Sequence, residues 1–216
     1  MPPAFDKREY WEQRFSSETS FEWLMTSETF VTVLEPYLAN LAPDTPILHL
    51  GFGTSDLQVH LRKRGFTSIT NIDFEPLAVE RGQDLERAAF GNVQMTYLVA
   101  DCTQLHLDRR YGLILDKSTV DAVACGVDAA FPAMMDSVAR HLTEDGIWIS
   151  ISYAAYRYDS PSLPLAVEVI AQIPVKKQKP TDPDVFTYCY LLRRRPDAHA
   201  AKDHDEHVRA PHASSN

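Results

Sequence analysis

The sequence has few cysteines and no long apolar run. Its three cysteines, Cys102, Cys125 and Cys189, show no CxxC spacing and no pairing pattern, which favours a reduced intracellular protein. No stretch approaches the roughly 20 apolar residues that a membrane span requires, and the N-terminal residues contain no apolar segment typical of a secretory signal. We therefore expect a cytoplasmic protein that does not bind or cross a membrane.

An excess of positive charge is also absent. The 216 residues carry a formal net charge of -9, and the isoelectric point is about 5.3. Because binding to a phosphate backbone needs a basic face, this charge disfavours a nucleic acid as the main partner. The hydrophobic fraction of 44% is enough for a core, and the length suits one α/β domain with a short tail.

Short apolar runs alternate with helical stripes along most of the chain. We expect helices at residues 28–41, 56–64, 76–91 and 131–142, and strands at residues 47–50, 68–73, 93–99, 111–115 and 147–153. Pro36 lies inside the first helical stripe and should kink or shorten that helix. The alternation predicts an α/β fold with a doubly wound, mostly parallel sheet of the Rossmann-like type.

The C-terminal part of the chain departs from this alternation. Residues 167–175 and 185–192 form two apolar runs, which we interpret as an antiparallel strand pair that completes a seven-stranded sheet. The first of these runs could instead be partly helical. Residues 196–216 are polar and lack apolar periodicity, which predicts a disordered tail. The irregular spacing of its four histidines favours no metal site.

Four of the predicted strands end in, or are followed closely by, a residue that suits ligand binding. These residues are Gly51, Asp73, Asp101 and Asp116. Ligands of a doubly wound sheet bind outside the carboxyl ends of its strands, so the four residues are expected in one site. The Gly51-Phe52-Gly53 turn lets the backbone approach a ligand closely, because glycine has no Cβ.

A dinucleotide or S-adenosylmethionine (SAM) could use such a turn. Asp73 lies about twenty residues after the glycine turn. At this spacing an acid can accept hydrogen bonds from ribose hydroxyls. The third glycine of the dinucleotide fingerprint is missing. Asp101 can accept from an adenine amino group, and the backbone N–H of Cys102 can donate to an adenine ring nitrogen. Both features favour SAM, although acids after strands can also be ordinary loop residues.

Longer segments resemble a known family. They are Tyr10-Trp-Glu-Gln-Arg-Phe15, Phe21-Glu-Trp23, residues 47–57, Asn71-Ile-Asp73, residues 101–105 and Leu115-Asp-Lys-Ser-Thr-Val-Asp-Ala-Val123. They resemble the class I SAM-dependent methyltransferases of the methyltransferase-like family, in particular the eukaryotic lysine methyltransferases of elongation factor 1-alpha and their fungal relatives. The resemblance covers residues 8–153 and, more faintly, 186–190. It implies N-terminal cap helices in residues 1–45 and a SAM-binding methyltransferase domain in residues 46–195.

The resemblance also implies a set of cofactor contacts. Trp11, Phe15 and Trp23 would form a cap over the methionine part of SAM, although these aromatic residues could simply close the core. A sulfonium is a cation, and tryptophan faces attract cations. Arg14 could pair with the SAM carboxylate or lie on the surface beside a glutamate. The full set of expected contacts is Trp11, Arg14, Phe15, Trp23, Gly51, Gly53, Asp73, Phe74, Asp101, Cys102, Asp116 and Lys117.

Methyl transfer from SAM is an in-line displacement, so the protein mainly has to bind, align and desolvate the reactants. A lysine acceptor must first lose a proton. Asp116 and Asp121 are the candidate catalytic residues that could orient an acceptor amine, although Asp121 could instead cap a helix. The acid often found two residues before the first glycine of SAM enzymes is replaced by His49, which we interpret as a packed strand residue.

Three hypotheses for the function follow. The resemblance favours a protein lysine N-methyltransferase with a protein substrate, such as a translation factor. A small-molecule N-, O- or S-methyltransferase is the alternative, because the fold is easily repurposed and the short segment at residues 154–164 predicts a small lid. A binding module without activity is the third. No Asn/Asp-Pro-Pro-Tyr run follows the fourth strand, which disfavours methylation of a DNA or RNA base.

Overall fold

A computed structural model describes residues 3–177 and 179–195. The predicted disordered tail, with its histidines, lies outside these residues. In the described part, the helices are α1 (Arg8–Ser17), α2 (Ser27–Leu38), α3 (Leu57–Lys63), α4 (Pro76–Phe90), α5 (Thr119–Val123) and α6 (Ala130–His141). The strands are β1 (Ile47–Leu50), β2 (Ile69–Asp73), β3 (Thr96–Val99), β4 (Tyr111–Lys117), β5 (Leu142–Ser152), β6 (Leu165–Pro174) and β7 (Phe186–Arg194).

The strands form one sheet in the order β3-β2-β1-β4-β5-β7-β6. Strands β1 to β5 pair in parallel, and β7 pairs antiparallel with both β5 and β6. This confirms the doubly wound, mostly parallel seven-stranded sheet with an antiparallel C-terminal pair, and the first C-terminal run is a strand. The strand order reverses between β1 and β4, which is where this fold binds its ligands.

Each face of the sheet is covered by its own hydrophobic layer. Side chains of β4 alternate between the two faces, because successive residues of a strand point to opposite sides. Leu113 and Leu115 pack with Leu34 of α2 and Leu61 of α3. Ile114, between them, packs on the other face with residues of α5 and α6. The alternation later decides which residues of β4 reach the candidate site.

Helix α2 shows the effect of the proline inside it. Thr26 caps the helix by accepting a hydrogen bond from the backbone N–H of Thr29 at 3.2 Å. Pro36 lies within the last turn, and the helix ends at Leu38 instead of continuing to residue 41. Because proline lacks an N–H and crowds the preceding turn, this early end agrees with the expected shortening.

Two features are absent from the part of the chain that the structure describes. No helix in it has the length and apolar character needed to cross a membrane. No group of three or more histidine, cysteine, aspartate or glutamate residues in it could hold a metal ion.

Candidate active site

A cavity of about 630 Å³ lies at the carboxyl ends of β1 to β4. Its volume falls in the range of roughly 300–1,000 Å³ that is usual for cofactor sites. Two residues with expected roles in the site, Arg14 and Asp116, are not part of its wall. The expected residues that do line it are Trp11, Phe15, Trp23, Gly51, Gly53, Asp73, Phe74, Asp101, Cys102, Lys117 and Asp121.

The glycine turn after β1 is packed against the start of α5. Gly51 and Gly53 have φ values of +54° and +55°, in the left-handed region that favours glycine. A Cβ on Gly51 would lie 2.5 Å from side-chain atoms of Thr119. The Thr119 hydroxyl donates to the carbonyl oxygen of Leu50 at 3.0 Å and lies 3.2 Å from that of Gly51. Thr119 therefore holds the turn in place, a role that sequence analysis did not assign.

Asp73 joins the end of β2 to the glycine turn. Its Oδ2 accepts a hydrogen bond from the backbone N–H of Gly53 at 2.9 Å, and its Oδ1 accepts from that of Glu75 at 2.9 Å. Burial raises the pKa of the Asp73 carboxyl to about 6, against the opposing effect of these backbone donors. The Asp73 carboxyl group therefore lies in the cavity wall, tied to the glycine turn.

Asp101 and Cys102 form the end of the cavity at β3. Asp101 caps the short 3-10 helix Cys102–Gln104, since its Oδ1 accepts hydrogen bonds from both the backbone N–H and the hydroxyl of Thr103 at 2.8 Å. The Cys102 side chain is buried, and burial raises the pKa of its thiol well above the ordinary value. The thiol therefore remains protonated and is not a nucleophile.

An aromatic roof covers the cavity on the side of the N-terminal segment. We use this name for Phe5, Tyr10, Trp11, Phe15, Phe21 and Trp23, which pack ring against ring. The ring centroids of Trp11 and Trp23 are 5.9 Å apart, and Trp11 Nε1 donates to the carbonyl oxygen of Phe5 at 2.7 Å. All members of the roof except Tyr10 line the cavity. The roof residues thus pack together and also face the space that a ligand would fill.

Lys117 anchors this roof to the sheet. Its buried ammonium donates to the Glu22 carboxylate and to the carbonyl oxygens of Trp23 and Met25, the last two at 3.2 Å. Burial lowers the pKa of Lys117, and the neighbouring Glu22 opposes that effect. Leu24, between the two carbonyl groups, has a φ of +63°, a conformation that costs a non-glycine residue on the order of 1 kcal/mol. All three N–H groups of Lys117 are therefore used to hold the chain at residues 22–25.

Glu22 has more than one partner in this anchor. Its Oε1 accepts hydrogen bonds from the hydroxyl groups of Ser27 at 2.6 Å and Ser55 at 3.1 Å. The carboxylate therefore links the roof to α2 and to the loop after the glycine turn. Sequence analysis named Lys117 but not Glu22, because the two residues are far apart in the chain and only the fold brings them together.

Arg14 requires a correction. Its guanidinium pairs with Glu18 at 2.6 Å, donates to the Tyr10 hydroxyl at 2.8 Å, and lies 4.6 Å from the centre of the Trp23 ring. The partners of its side chain are thus all in the N-terminal segment, and the guanidinium stacks on the aromatic roof in a cation–π contact. The structure does not support the expected contact between Arg14 and a cofactor carboxylate.

Asp116 also requires a correction. Strand β4 continues to Lys117, two residues beyond its predicted end, so Asp116 points away from the face that carries Lys117. Its fully buried carboxyl group accepts from Trp148 Nε1 at 2.9 Å and from the backbone N–H of Val120 at 3.2 Å. Burial raises its pKa to about 7. Asp116 is a core residue, and the structure supports neither its predicted cofactor contact nor its catalytic role.

Asp121 lines the other end of the cavity but is fully engaged. On α5, its carboxylate accepts from the Ser152 hydroxyl at 2.5 Å, from the backbone N–H of Tyr153 at 2.9 Å and from Arg157 at 2.8 Å. These bonds cross to the segment after β5, so Asp121 does not serve as a simple helix cap. It fixes the position of Tyr153 and Arg157, which also line the cavity and which sequence analysis did not identify.

Comparisons with known proteins agree with this geometry. No protein-family model matches the chain. The chain is 57% identical over 200 residues to methyltransferase srdJ of Neurospora crassa, a match that covers 90% of this chain and 86% of that protein. It is 32% identical over 157 residues to the eEF1A lysine and N-terminal methyltransferase of Mus musculus. That match covers 69% of this chain but only 22% of the mouse protein, so the chain spans about a fifth of the length of that relative.

Solved structures share the fold at low sequence identity. The N-methyltransferase NodS of Bradyrhizobium japonicum, in complex with S-adenosyl-L-homocysteine, has a TM-score of 0.67 and 13% identity, covering 90% of this chain and 100% of NodS. Magnesium protoporphyrin IX methyltransferase of Synechocystis, with bound SAM, has a TM-score of 0.58 and 12% identity, covering 88% and 93% of the two chains. The chain belongs to the class I SAM-dependent methyltransferases, in the methyltransferase-like family that includes srdJ, and its cofactor is SAM.

Proposed function

We propose that the chain transfers the methyl group of SAM to the side-chain amine of a lysine in a protein. The observation that carries the proposal is the open acceptor end of the cavity. Val127 and Tyr153 line that end and are 70% and 58% exposed. A long, thin side chain that projects from the surface of another protein can enter between them.

The arrangement of the cavity fits SAM in one orientation. Asp101 and the backbone N–H of Cys102 would hold the adenine, and Asp73 would hold the ribose. The glycine turn would lie against the methionine part, beneath the rings of Trp11 and Trp23. SAM, when bound, supplies a methyl group on a positively charged sulfur, and the tryptophan faces favour that charge.

The acceptor end has an apolar wall and a polar wall. Val123, Gly126 and Ala130 provide an apolar wall that suits the methylene groups of a lysine side chain. Tyr153 and Arg157, both held by Asp121, form the polar wall. Since the Asp121 carboxylate already accepts several hydrogen bonds, we propose that it positions this wall. The lysine proton would then leave to water through the open mouth.

The charge of the chain and its relatives also support a lysine acceptor. The net charge of -9 favours association with a basic partner. Two mouse relatives, at 32% and 27% identity, are named as methyltransferases of lysine in eEF1A. A translation factor is therefore the protein substrate that we propose to test first.

One observation favours a small-molecule acceptor instead. The connection from β5 to β6 consists of residues 153–164 only, so this side of the mouth offers little surface for a protein partner. The same cavity could then take a small N-, O- or S-nucleophile.

Incubation with radiolabelled SAM and a cell extract separates the two acceptor classes. We expect label in the protein fraction, and we expect that prior chemical blocking of lysine amines in the extract removes it. The Asp73→Ala variant is the control for transfer that does not depend on this cavity. Label that appears only in small molecules, or protein label that survives lysine blocking, would contradict the lysine proposal.

A further inference from the structure

We propose that His49 binds the cofactor: its Nε2 accepts a hydrogen bond from the α-ammonium group of SAM, and Asn71 fixes the ring tautomer that makes this possible. The inference holds for any methyl acceptor. It assigns a cofactor role to a residue that its sequence position suggested was only packed.

His49 lies in the floor of the cavity beside the switch point of the sheet. It is 1% exposed, yet it forms part of the cavity wall. On β1 it pairs in register with Asn71 of β2 and with Leu115 of β4. Its ring therefore lies on the face of the sheet that the aromatic roof covers, two residues before Gly51.

Two buried polar atoms at this place lack hydrogen-bond partners among the described residues: His49 Nδ1 and Asn71 Oδ1. Asn71 Nδ2 donates to the carbonyl oxygen of Thr96 at 3.4 Å, which directs Oδ1 of the amide away from that carbonyl. The Asn71 side chain raises the pKa of His49 as a hydrogen-bonding neighbour does. We therefore infer that Nδ1 carries the proton and donates to Asn71 Oδ1, the arrangement that would satisfy both atoms.

The tautomer leaves Nε2 of His49 with a lone pair and no proton. Burial, and to a smaller extent the charge of Lys117, lowers the pKa of His49 to about 3, so the ring stays neutral at ordinary pH. Lys117 does not serve as the donor to Nε2, because its ammonium already donates to Glu22, Trp23 and Met25. A donor to Nε2 must therefore come from the cavity.

The amino-acid end of SAM offers one group of the right kind. With the adenine at β3 and the ribose at β2, the orientation proposed above, that end would lie over β1, where His49 is located. The α-carboxylate only accepts hydrogen bonds, whereas the α-ammonium has three N–H donors. A neutral ring nitrogen that can only accept therefore matches the ammonium group.

A comparison of two thioether ligands tests the contact between His49 and the amino-acid end of the cofactor. S-adenosylhomocysteine has the amino-acid end, and 5′-methylthioadenosine lacks it. We expect His49→Leu to weaken S-adenosylhomocysteine binding about 10- to 100-fold, the effect of losing a hydrogen bond to a charged group. Binding of 5′-methylthioadenosine should change less than about twofold. Equal losses for the two ligands would show a packing role only, and unchanged S-adenosylhomocysteine binding would show that the bond does not exist.

Two conservative variants keep the proposal testable if His49→Leu does not fold. The Oε1 of a glutamine can occupy the place of Nε2, whereas the shorter asparagine reaches only the place of Nδ1. We expect His49→Gln to retain S-adenosylhomocysteine affinity and His49→Asn to lose it, with thermal unfolding as the check on folding. Equal affinities of the two variants would overturn the proposal.

Asn71 acts through His49 and is a positioning residue. Asn71→Leu removes the acceptor that fixes the tautomer, so we expect a smaller loss than in His49→Leu, again confined to S-adenosylhomocysteine. A loss of the same size for 5′-methylthioadenosine would overturn the assignment of Asn71.

Discussion

Among single residues, Asp73 connects the cofactor cavity to the glycine turn. The backbone N–H groups of Gly53 and Glu75 each use one lone pair of its carboxylate. The remaining lone pairs can accept hydrogen bonds from ribose hydroxyls. We therefore expect the protonation state of this buried group to affect how well the cavity binds SAM.

The raised pKa of Asp73 predicts a pH dependence of SAM affinity. Ribose hydroxyls bind the ionised carboxylate more strongly, so affinity should fall as the pH drops below about 6, by up to about tenfold per pH unit. Calorimetry between pH 5 and pH 7.5 measures this change. Asp73→Asn should bind SAM weakly at every pH in this range. A wild-type affinity that does not change with pH would contradict the ribose role.

For Asp116 we predict the opposite: its ionisation should change the free energy of unfolding and should leave SAM affinity unchanged. Its carboxyl is neutral in the folded protein up to about pH 7 but ionised in the unfolded chain above about pH 4. This group therefore makes the protein less stable as the pH rises from about 4 to 7, by roughly 1.4 kcal/mol per pH unit. Between pH 5 and pH 7, wild type should lose stability relative to Asp116→Asn.

Urea unfolding of both proteins at the two pH values measures this difference, and all other groups cancel in the comparison. SAM affinity of Asp116→Asn should equal that of wild type, since Asp116 does not line the cavity. A folded variant that binds SAM at least tenfold more weakly would restore Asp116 to the site.

The family resemblance placed Trp11 and Lys117 in the cavity wall, whereas three other residues there carry a local signal. Gly51, Asp73 and Asp101 each follow an apolar run directly, so the end of a strand locates them. Asp116 failed because its position depends on the strand end to within one residue, and a shift of one residue moves a side chain to the other face. Glu22 could not be found, because its partner Lys117 is 95 residues away.

Among the elements, the segment that follows α1 is anchored to the sheet by the buried ammonium group of Lys117. Lys117→Met should leave the Glu22 carboxylate without its cation and free the carbonyl groups of Trp23 and Met25. The cost should be on the order of 1–3 kcal/mol, less than for a fully buried pair, because Glu22 is partly exposed. The roof should loosen, and SAM affinity should fall with it.

Hydrogen exchange of residues 5–25 measures this loosening. Lys63→Met is the matched control, because Lys63 is exposed on α3 and has no ion pair among the described residues. Unchanged protection of residues 5–25 in Lys117→Met would refute the anchor.

The glycine turn gives a second prediction for an element. Gly51→Ala adds a Cβ at a φ of +54° and 2.5 Å from the Thr119 side chain, whereas Gly91→Ala adds one at a φ of +77° with no atom within 4 Å. Both changes carry a conformational cost of about 1 kcal/mol. Gly51→Ala should cost more than this and should also weaken SAM binding. Equal unfolding free energies of the two variants would show that the turn is not tightly packed.

Apolar runs and turn residues predicted most elements to within a few residues. The five-residue helix α5 was missed, because so short a helix has no apolar periodicity. Strand β5 begins at Leu142 instead of residue 147, where turn-forming residues hid its start. The position of β7 between β5 and β6 arises from pairing across the chain, and local sequence carries little information about it.

For the whole molecule, the sequence predicted the sheet and the cofactor, because both depend on the order of elements and on a few strand ends. It predicted the family through the resemblance of segments such as residues 10–15 and 115–123. The walls of the proposed acceptor end come from residues 123–130 and from the segment after β5, which only the fold brings together. We therefore expect specificity for the acceptor to depend on tertiary contacts such as that of Asp121 with Arg157.

The most direct test of the account is a calorimetric titration of the wild-type protein and Asp73→Ala with SAM, and of the wild type with NADH. Loss of the ribose hydrogen bonds should weaken SAM binding by about 1–3 kcal/mol in the variant. The account predicts one SAM site per chain, weaker binding by the folded Asp73→Ala variant, and no comparable binding of NADH. NADH binding tighter than SAM binding, or equal SAM affinity of the two proteins, would contradict it.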